Sequence, residues 1–215
     1  MFSNFSMNND PEKEIFRELS AKDWTREMKE RAARKELEPW ADLISEDDYL
    51  RSLEDYFGGL ENLRGKKYLD VGAGFGSKLH SLLERLGVEI TNVDISAEAI
   101  KSLNEKGNKG LVADAFKLAV KENYFDGAIA VDLINTSAAM DREDAEEIFG
   151  EIHRVVKKGG CFIQSHFGYY EDPIPKEEQL SAVESAGFQN VQLIENQLTT
   201  ELAHLEPLAF IAERR

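Results

Sequence analysis

The segment Asp70-Val71-Gly72-Ala73-Gly74-Phe75-Gly76 constrains this chain more than any other. Glycine at every second position lets the backbone turn sharply and lets another group approach without meeting a Cβ. The flanking residues decide the architecture. Tyr68-Leu69-Asp70-Val71 reads as a short strand. The residues after the loop place Leu79, Leu82, Leu83 and Leu86 on one helical face, with Gly87 at the C-terminus. Strand, glycine turn and amphipathic helix in this order make a βα unit, and such units build parallel sheets.

The alternation continues to the end of the chain. Strands are predicted at Val88–Val93, Leu111–Ala113, Phe125–Val131, Cys161–Ser165, Val191–Ile194 and Leu208–Ala212. Between them lie helices begun by Ser96 and ended near Gly107, spanning Ala145–Val156 and closed by Gly159-Gly160, and spanning Glu177–Ala186 before Gly187. With the strand before the loop this makes an α/β fold: an open, mostly parallel sheet of seven strands with helices on both faces. Residues 1–64 carry no convincing strand. Ile15, Phe16 and Leu19 stand at helical spacing, and a helix from Asp23 to Leu37 stops before Pro39. A further helix after Ser45 has a capping-box pattern with Asp48, presents Tyr49, Leu50, Leu53, Tyr56 and Phe57, and ends at Gly58-Gly59. The expected organisation is a helical segment, 1–64, and an α/β domain, 65–215.

Charge and cysteine content narrow the partners. The formal net charge is −15, with no basic block to neutralise phosphates. Nucleic acid and anionic membrane surfaces are therefore poor partners. No apolar run is long enough to span a bilayer. The N-terminal residues are polar and lack a signal-peptide core. The single cysteine, Cys161, allows no internal disulfide, which predicts a cytoplasmic protein. No feature sets an oligomeric state.

The loop calls for a nucleotide-like ligand at a helix N-terminus. Asp94 stands twenty residues after Gly74, at the end of the second strand. A carboxylate there can accept hydrogen bonds from both hydroxyls of a ribose. A dinucleotide fingerprint needs a third glycine at position 77, where the chain has Ser77. No G-K-[ST] follows, so a phosphate-binding P-loop is excluded.

The pattern D-x-G-x-G-x-G over Asp70–Gly76 resembles the first motif of class I S-adenosylmethionine-dependent methyltransferases, and the resemblance extends over residues 65–215. Asp94 matches the acid after strand two, and Asp114-Ala115-Phe116 the segment after strand three. Glu151-Ile152-His153-Arg154-Val155-Val156-Lys157-Lys158-Gly159-Gly160 is similar to a stretch of the ubiquinone/menaquinone-biosynthesis (type 11) group, with Lys158 in place of a proline. Ala186-Gly187-Phe188 fits the family's late turn. The resemblance implies a Rossmann-like fold and S-adenosylmethionine as cofactor. It implies that the backbone of Gly72 and Gly74 packs on the methionine part, with Ala73 and Gly76 in the same cofactor-binding loop; Gly76 equally suits helix–strand packing. Asp70 would organise the loop and the ammonium region. Asp94 would hold the ribose, Ile95 the adenine face, and Asp114, Ala115 and Phe116 the adenine edge. Asp132 and Leu133 would line the methionine side.

The acceptor leaves a fainter trace. Methyl transfer from a sulfonium is an in-line displacement that needs positioning and desolvation, and a base only when the nucleophile must lose a proton. His166, after the fifth strand, can serve as that base or be a hydrogen-bonded loop histidine. Asn135, Tyr169 and Tyr170 are candidates for the acceptor pocket. So are Trp24 and Tyr49, in a helical segment that would act as a lid; Trp40, Tyr56 and Phe57 would extend its apolar roof. These aromatics equally suit packing of helix onto sheet. His80 and His204 have no chemical context, His153 reads as structural, and Cys161 as a core residue. No Cys/His cluster has metal-ligand spacing, so no metal is expected. The N-P-P-Y sequence of nucleobase and amide methylation is absent after strand four. The expected function is methyl transfer to a small organic acceptor, at oxygen, nitrogen or carbon. Alternatives are methylation of a protein side chain, a non-catalytic protein that binds the cofactor, and, opposed by Ser77, an NAD-linked oxidoreductase.

Overall fold

The computed structural model describes residues 18–19, 22–27, 29–30, 33–34, 44–134, 140–166, 174–194 and 208–215. Residues 22–27 are helical. The regular elements that follow are α1 (Glu46–Phe57), a short 3-10 turn (Leu60–Leu63), β1 (Lys67–Val71), α2 (Lys78–Arg85), β2 (Glu89–Asp94), α3 (Ala97–Glu105), β3 (Lys109–Val112) and β4 (Phe125–Val131). Then come α4 (Arg142–Val155), β5 (Val156–His166), α5 (Lys176–Ser185), β6 (Phe188–Leu193) and β7 (Leu208–Arg214).

The seven strands form one sheet in the order β3-β2-β1-β4-β5-β7-β6. The first five run parallel, and β7 pairs antiparallel with both β5 and β6. The chain steps outward from β1 to β2 to β3, then returns to lay β4 on the other side of β1. The order reverses between β1 and β4, and sheets of this kind bind ligands outside the carboxyl ends of the strands at such a switch.

Alternate side chains along the strands feed two cores. Leu69, Val71, Ala128, Ala130 and Phe162 pack with Ile148, Phe149 and Ile152 of α4 and Ala182 and Val183 of α5. Tyr68, Ile129, Cys161 and Ile163 pack with Tyr49 and Leu53 of α1, Leu63, and Leu79, Leu82 and Leu83 of α2. Helices therefore cover both faces, as the period-2 pattern of the strands requires. Phe162 sits among Phe149, Phe188 and Phe210, with ring centroids 5.5–5.8 Å away. Burial of each such ring contributes about 1.5–3 kcal/mol.

Some boundaries differ from the sequence reading. The helix predicted from Ala145 begins at Arg142, because Asp141 caps it in a reciprocal box with Asp144. That helix is not closed by Gly159-Gly160. The backbone passes into β5 at Val156, and both glycines lie inside the strand. There the β4–β5 register jumps from Phe125↔Val156 to Gly127↔Cys161. Gly160 is required in this irregular stretch, since a Cβ would stand 2.6 Å from the Asp126 carbonyl oxygen. The strand predicted from Val191 starts at Phe188. A register shift between Gln189 and Gln192, with Asn190 at φ 51°, breaks the alternation that would have revealed it. At α1, Ser45 accepts from the Asp48 N–H, but the Asp48 carboxylate takes the Ser45 hydroxyl and Arg51. Because α1 and Leu63 share a core with β1 and α2, residues 46–63 are continuous with the sheet domain.

Gly127 tests how tightly the central strands pack. A Cβ there would lie 2.5 Å from the Tyr68 ring, whose hydroxyl sits 3.1 Å from Cys161 Sγ. The pinned ring cannot withdraw freely. Gly127→Ala is expected to destabilise the fold by about 1–3 kcal/mol, read as a lower urea midpoint at unchanged m.

Candidate cofactor and active site

The glycine loop is bent back over the end of β2. The Gly72 and Ala73 amides both donate to the Val93 carbonyl, at 2.9 and 3.0 Å, and the Gly76 amide to the Ala73 carbonyl at 2.8 Å. Gly72, Gly74 and Gly76 all have positive φ, at 72°, 51° and 101°. At Gly72 a Cβ would also stand 2.8 Å from Leu133 Cδ1. At Gly76 the nearest atom would be 3.9 Å away, so conformation and not crowding demands glycine there. Ser77 caps α2 by accepting from the His80 N–H. This serine stands where a dinucleotide site has its last glycine.

Asp94 joins strand end to loop. Its Oδ2 accepts from the Gly74 amide at 2.9 Å, and its Oδ1 from the Ser96 amide at 2.8 Å and from Trp24 Nε1 at 3.1 Å. The carboxylate is buried. Burial raises its pKa; the bonds from Ser96, Gly74 and Trp24 oppose the rise, and the Asp70 charge adds to it. A buried carboxylate at the end of a parallel strand is a candidate ligand contact. The glycine cradle, the buried acceptor and the helix N-terminus behind them suit a nucleoside with an amino-acid tail.

The other predicted positions follow the ends of β2, β3 and β4. Ile95 is half-buried beside Asp94. Asp114 is exposed and turns the chain after β3 by accepting from the Phe116 amide at 3.0 Å; Ala115 and Phe116 are half-buried. Asp132, at the end of β4, is a non-glycine residue at φ 53°, a conformation aspartate tolerates better than most. Its amide donates to the Ser165 carbonyl, and its Oδ1 lies 3.0 Å from His166 Nδ1. The adjacent ends of β4 and β5 thus present a carboxylate against an imidazole. Among the described residues no group of His, Cys, Asp and Glu is placed to hold a metal ion.

Three sequence expectations change here. Tyr49 does not roof a pocket: it is fully buried against Leu53, Leu63 and Tyr68. Trp24 lies at Asp94, with its ring against Phe75 and Ala99. His80, which had no evident context, is buried with its Nδ1 2.7 Å from Asp70 Oδ2 and its Nε2 3.4 Å from Glu84 Oε2. The signal lay in its position. His80 is in the first turn of α2, where side chains lean toward the helix N-terminus and so toward the end of β1. Asn135, Tyr169, Tyr170 and Trp40 lie outside the described residues. Cys161 is a buried core residue whose thiol burial pushes up to about 12. His153 packs edge-on against Phe188, and burial lowers its pKa.

Comparison with known proteins fits this geometry. Residues 69–164 match the family model of a methyltransferase domain. Over 127 residues the chain is 27% identical to the methyltransferase phqN of Penicillium fellutanum, covering 55% of this chain and 36% of that protein. It is 26% identical over 111 residues to phosphoethanolamine N-methyltransferase 2 of Caenorhabditis elegans, covering 48% of this chain and 24% of the relative. The chain therefore spans well under half the length of these curated relatives. A crystal structure of an S-adenosylmethionine-dependent methyltransferase from Methanosarcina mazei superposes with a TM-score of 0.58 at 17% identity, over 69% of this chain and 92% of the other. Residues 69–164 thus match a methyltransferase domain, on a Rossmann-like fold that this chain shares with solved S-adenosylmethionine-dependent methyltransferases.

The Asp70–His80 pair has a pH consequence. Burial alone would lower the imidazole pKa, but the Asp70 hydrogen bond and charge, with Glu84, raise it above its ordinary value. The stabilisation is fully present below about pH 6.5 and is lost as pH rises through the raised folded-state value. The melting-temperature gap between wild type and His80→Ala is expected to shrink between about pH 6 and pH 9. A gap that is flat or widens across that range contradicts the assignment.

Proposed function

We propose that this chain binds S-adenosylmethionine across the glycine loop and transfers its methyl group to a small organic acceptor at the ends of β4 and β5. The observation that carries the reading is the 2.9 Å bond from the Gly74 amide to the buried Asp94 carboxylate. It joins the loop for an amino-acid tail to the acid for a ribose.

The bound cofactor supplies an electrophilic methyl on a sulfonium leaving group. The chain supplies placement. Backbone at Gly72, Ala73, Gly74 and Gly76 lies against the methionine part, with Asp70 behind it. Asp94 takes the ribose hydroxyls and Ile95 the adenine face. Asp114, Ala115 and Phe116 lie along the adenine edge, and Asp132 and Leu133 on the methionine side. His166 is fixed by Asp132 through Nδ1, which suits it to take a proton from an acceptor that must lose one. The net charge of −15 favours a small molecule over a nucleic acid as acceptor. The single, unpaired Cys161 is in keeping with a cytoplasmic location.

Screening labelled methyl transfer against a metabolite extract is expected to yield a labelled small product; label found only in protein would redirect the acceptor class. Asp94→Ala is expected to weaken S-adenosylhomocysteine binding by about 1–3 kcal/mol in titration calorimetry, the scale of lost charged hydrogen bonds. Unchanged affinity would remove the ribose assignment. With the acceptor in hand, His166→Gln is expected to lower kcat by about 10²-fold at unchanged cofactor affinity. An unaltered kcat would return His166 to a purely structural role.

A further inference from the structure

Asp94 is more fully engaged than a ribose acceptor should be. A carboxylate offers about two lone pairs per oxygen. Oδ1 already accepts from the Ser96 amide and the Trp24 indole, and Oδ2 from the Gly74 amide. A ribose diol donating one hydroxyl to each oxygen therefore finds room on Oδ2 and none on Oδ1. Two of the three donors cannot leave. The Ser96 amide belongs to the residue that caps α3, and the Gly74 amide to the loop itself. The third is a side chain from outside the sheet domain.

We infer that Trp24 sets the affinity of the nucleoside site, its indole N–H holding in the ligand-free chain the place on Asp94 that a ribose hydroxyl takes on binding. The inference rests on the assignment of Asp94 to the ribose. The packing supports it. The indole lies on Phe75 of the loop and Ala99 of α3, both buried, and so covers the space above the end of β2. The helical residues beside it face solvent. Lys22, Asp23, Arg26 and Glu27 are exposed, and the nearby Lys29–Glu98 ion pair spans 3.7 Å with a mostly exposed lysine. Such a pair resists displacement weakly.

The exchange conserves hydrogen bonds. An indole is a donor only, and so is a ribose hydroxyl toward a carboxylate. Withdrawing Trp24 alone would leave a buried carboxylate one donor short, whereas arrival of the hydroxyl restores the count. Trp24 thus keeps Asp94 satisfied without ligand and yields to a molecule that offers the same donor.

Trp24→Phe in the full chain keeps the ring on Phe75 and Ala99 and deletes the N–H. Calorimetry with S-adenosylhomocysteine is expected to give a Kd about tenfold lower than wild type, the gain for a site held closed about nine-tenths of the time. In a Trp40→Phe background Trp24 is the sole tryptophan, and its emission should shift to longer wavelength with the same Kd as the indole leaves. Weaker or unchanged binding by Trp24→Phe, or Trp24 emission that stays put at saturation, overturns the inference and makes Trp24 a fixed wall. A folded wild type that shows no binding heat at all overturns the cofactor reading itself, which the emission test alone would not.

Discussion

The bond between the Gly74 amide and the Asp94 carboxylate organises the ligand-binding end of the molecule. It spans twenty residues and crosses from the loop after β1 to the end of β2. Two further amides, Gly72 and Ala73, tie the loop to the Val93 carbonyl. The loop thereby becomes a rigid floor whose residues at 72, 74 and 76 present backbone without side chains. An unanchored loop of three glycines would lose far more conformational entropy on meeting a ligand. Loop and strand end are therefore fixed to each other by one contact.

Around that floor the fold sets two carboxylate–histidine pairs with different settings. Asp70 and His80 are both buried, and the pair joins the end of β1 to the first turn of α2. Its role is to hold the loop's leading acid. Asp132 and His166 join the ends of β4 and β5, with the histidine buried and the aspartate partly open. That second pair lies on the far side of the switch in strand order. The parallel sheet makes this division, because every parallel strand delivers its last residue to the same edge.

The N-terminal region divides in the same physical terms. From Ile44 onward it is core: Ile44, Tyr49, Leu53 and Leu63 are fully buried beneath β1 and α2. The described residues around Trp24 are mostly exposed; Trp24 meets Asp94, and Lys29 pairs with Glu98. The aromatics of α1 are mortar between helix and sheet.

Local chemistry was enough to read the alternation of strand and helix, the glycine turn, the cap at Ser96 and the acid at Asp94. Each depends on residues a few positions apart or on a spacing the βα unit enforces. Elements escaped where an irregularity broke the local pattern, as at Gly159-Gly160 and Asn190, or where a cap lay ahead of the first apolar residue, as at Asp141. The pairings at the site were set by tertiary structure. Asp70 meets His80, Asp132 meets His166 and Trp24 meets Asp94 across 10, 34 and 70 residues of chain. A histidine in a helix's first turn or a tryptophan in a polar helix has many destinations until the sheet exists to place a carboxylate beside it. The seven-residue loop determined the class of ligand because glycine acts through its own backbone. The neighbours of the acids were decided by packing, because a side-chain contact needs two surfaces that only the folded chain brings together.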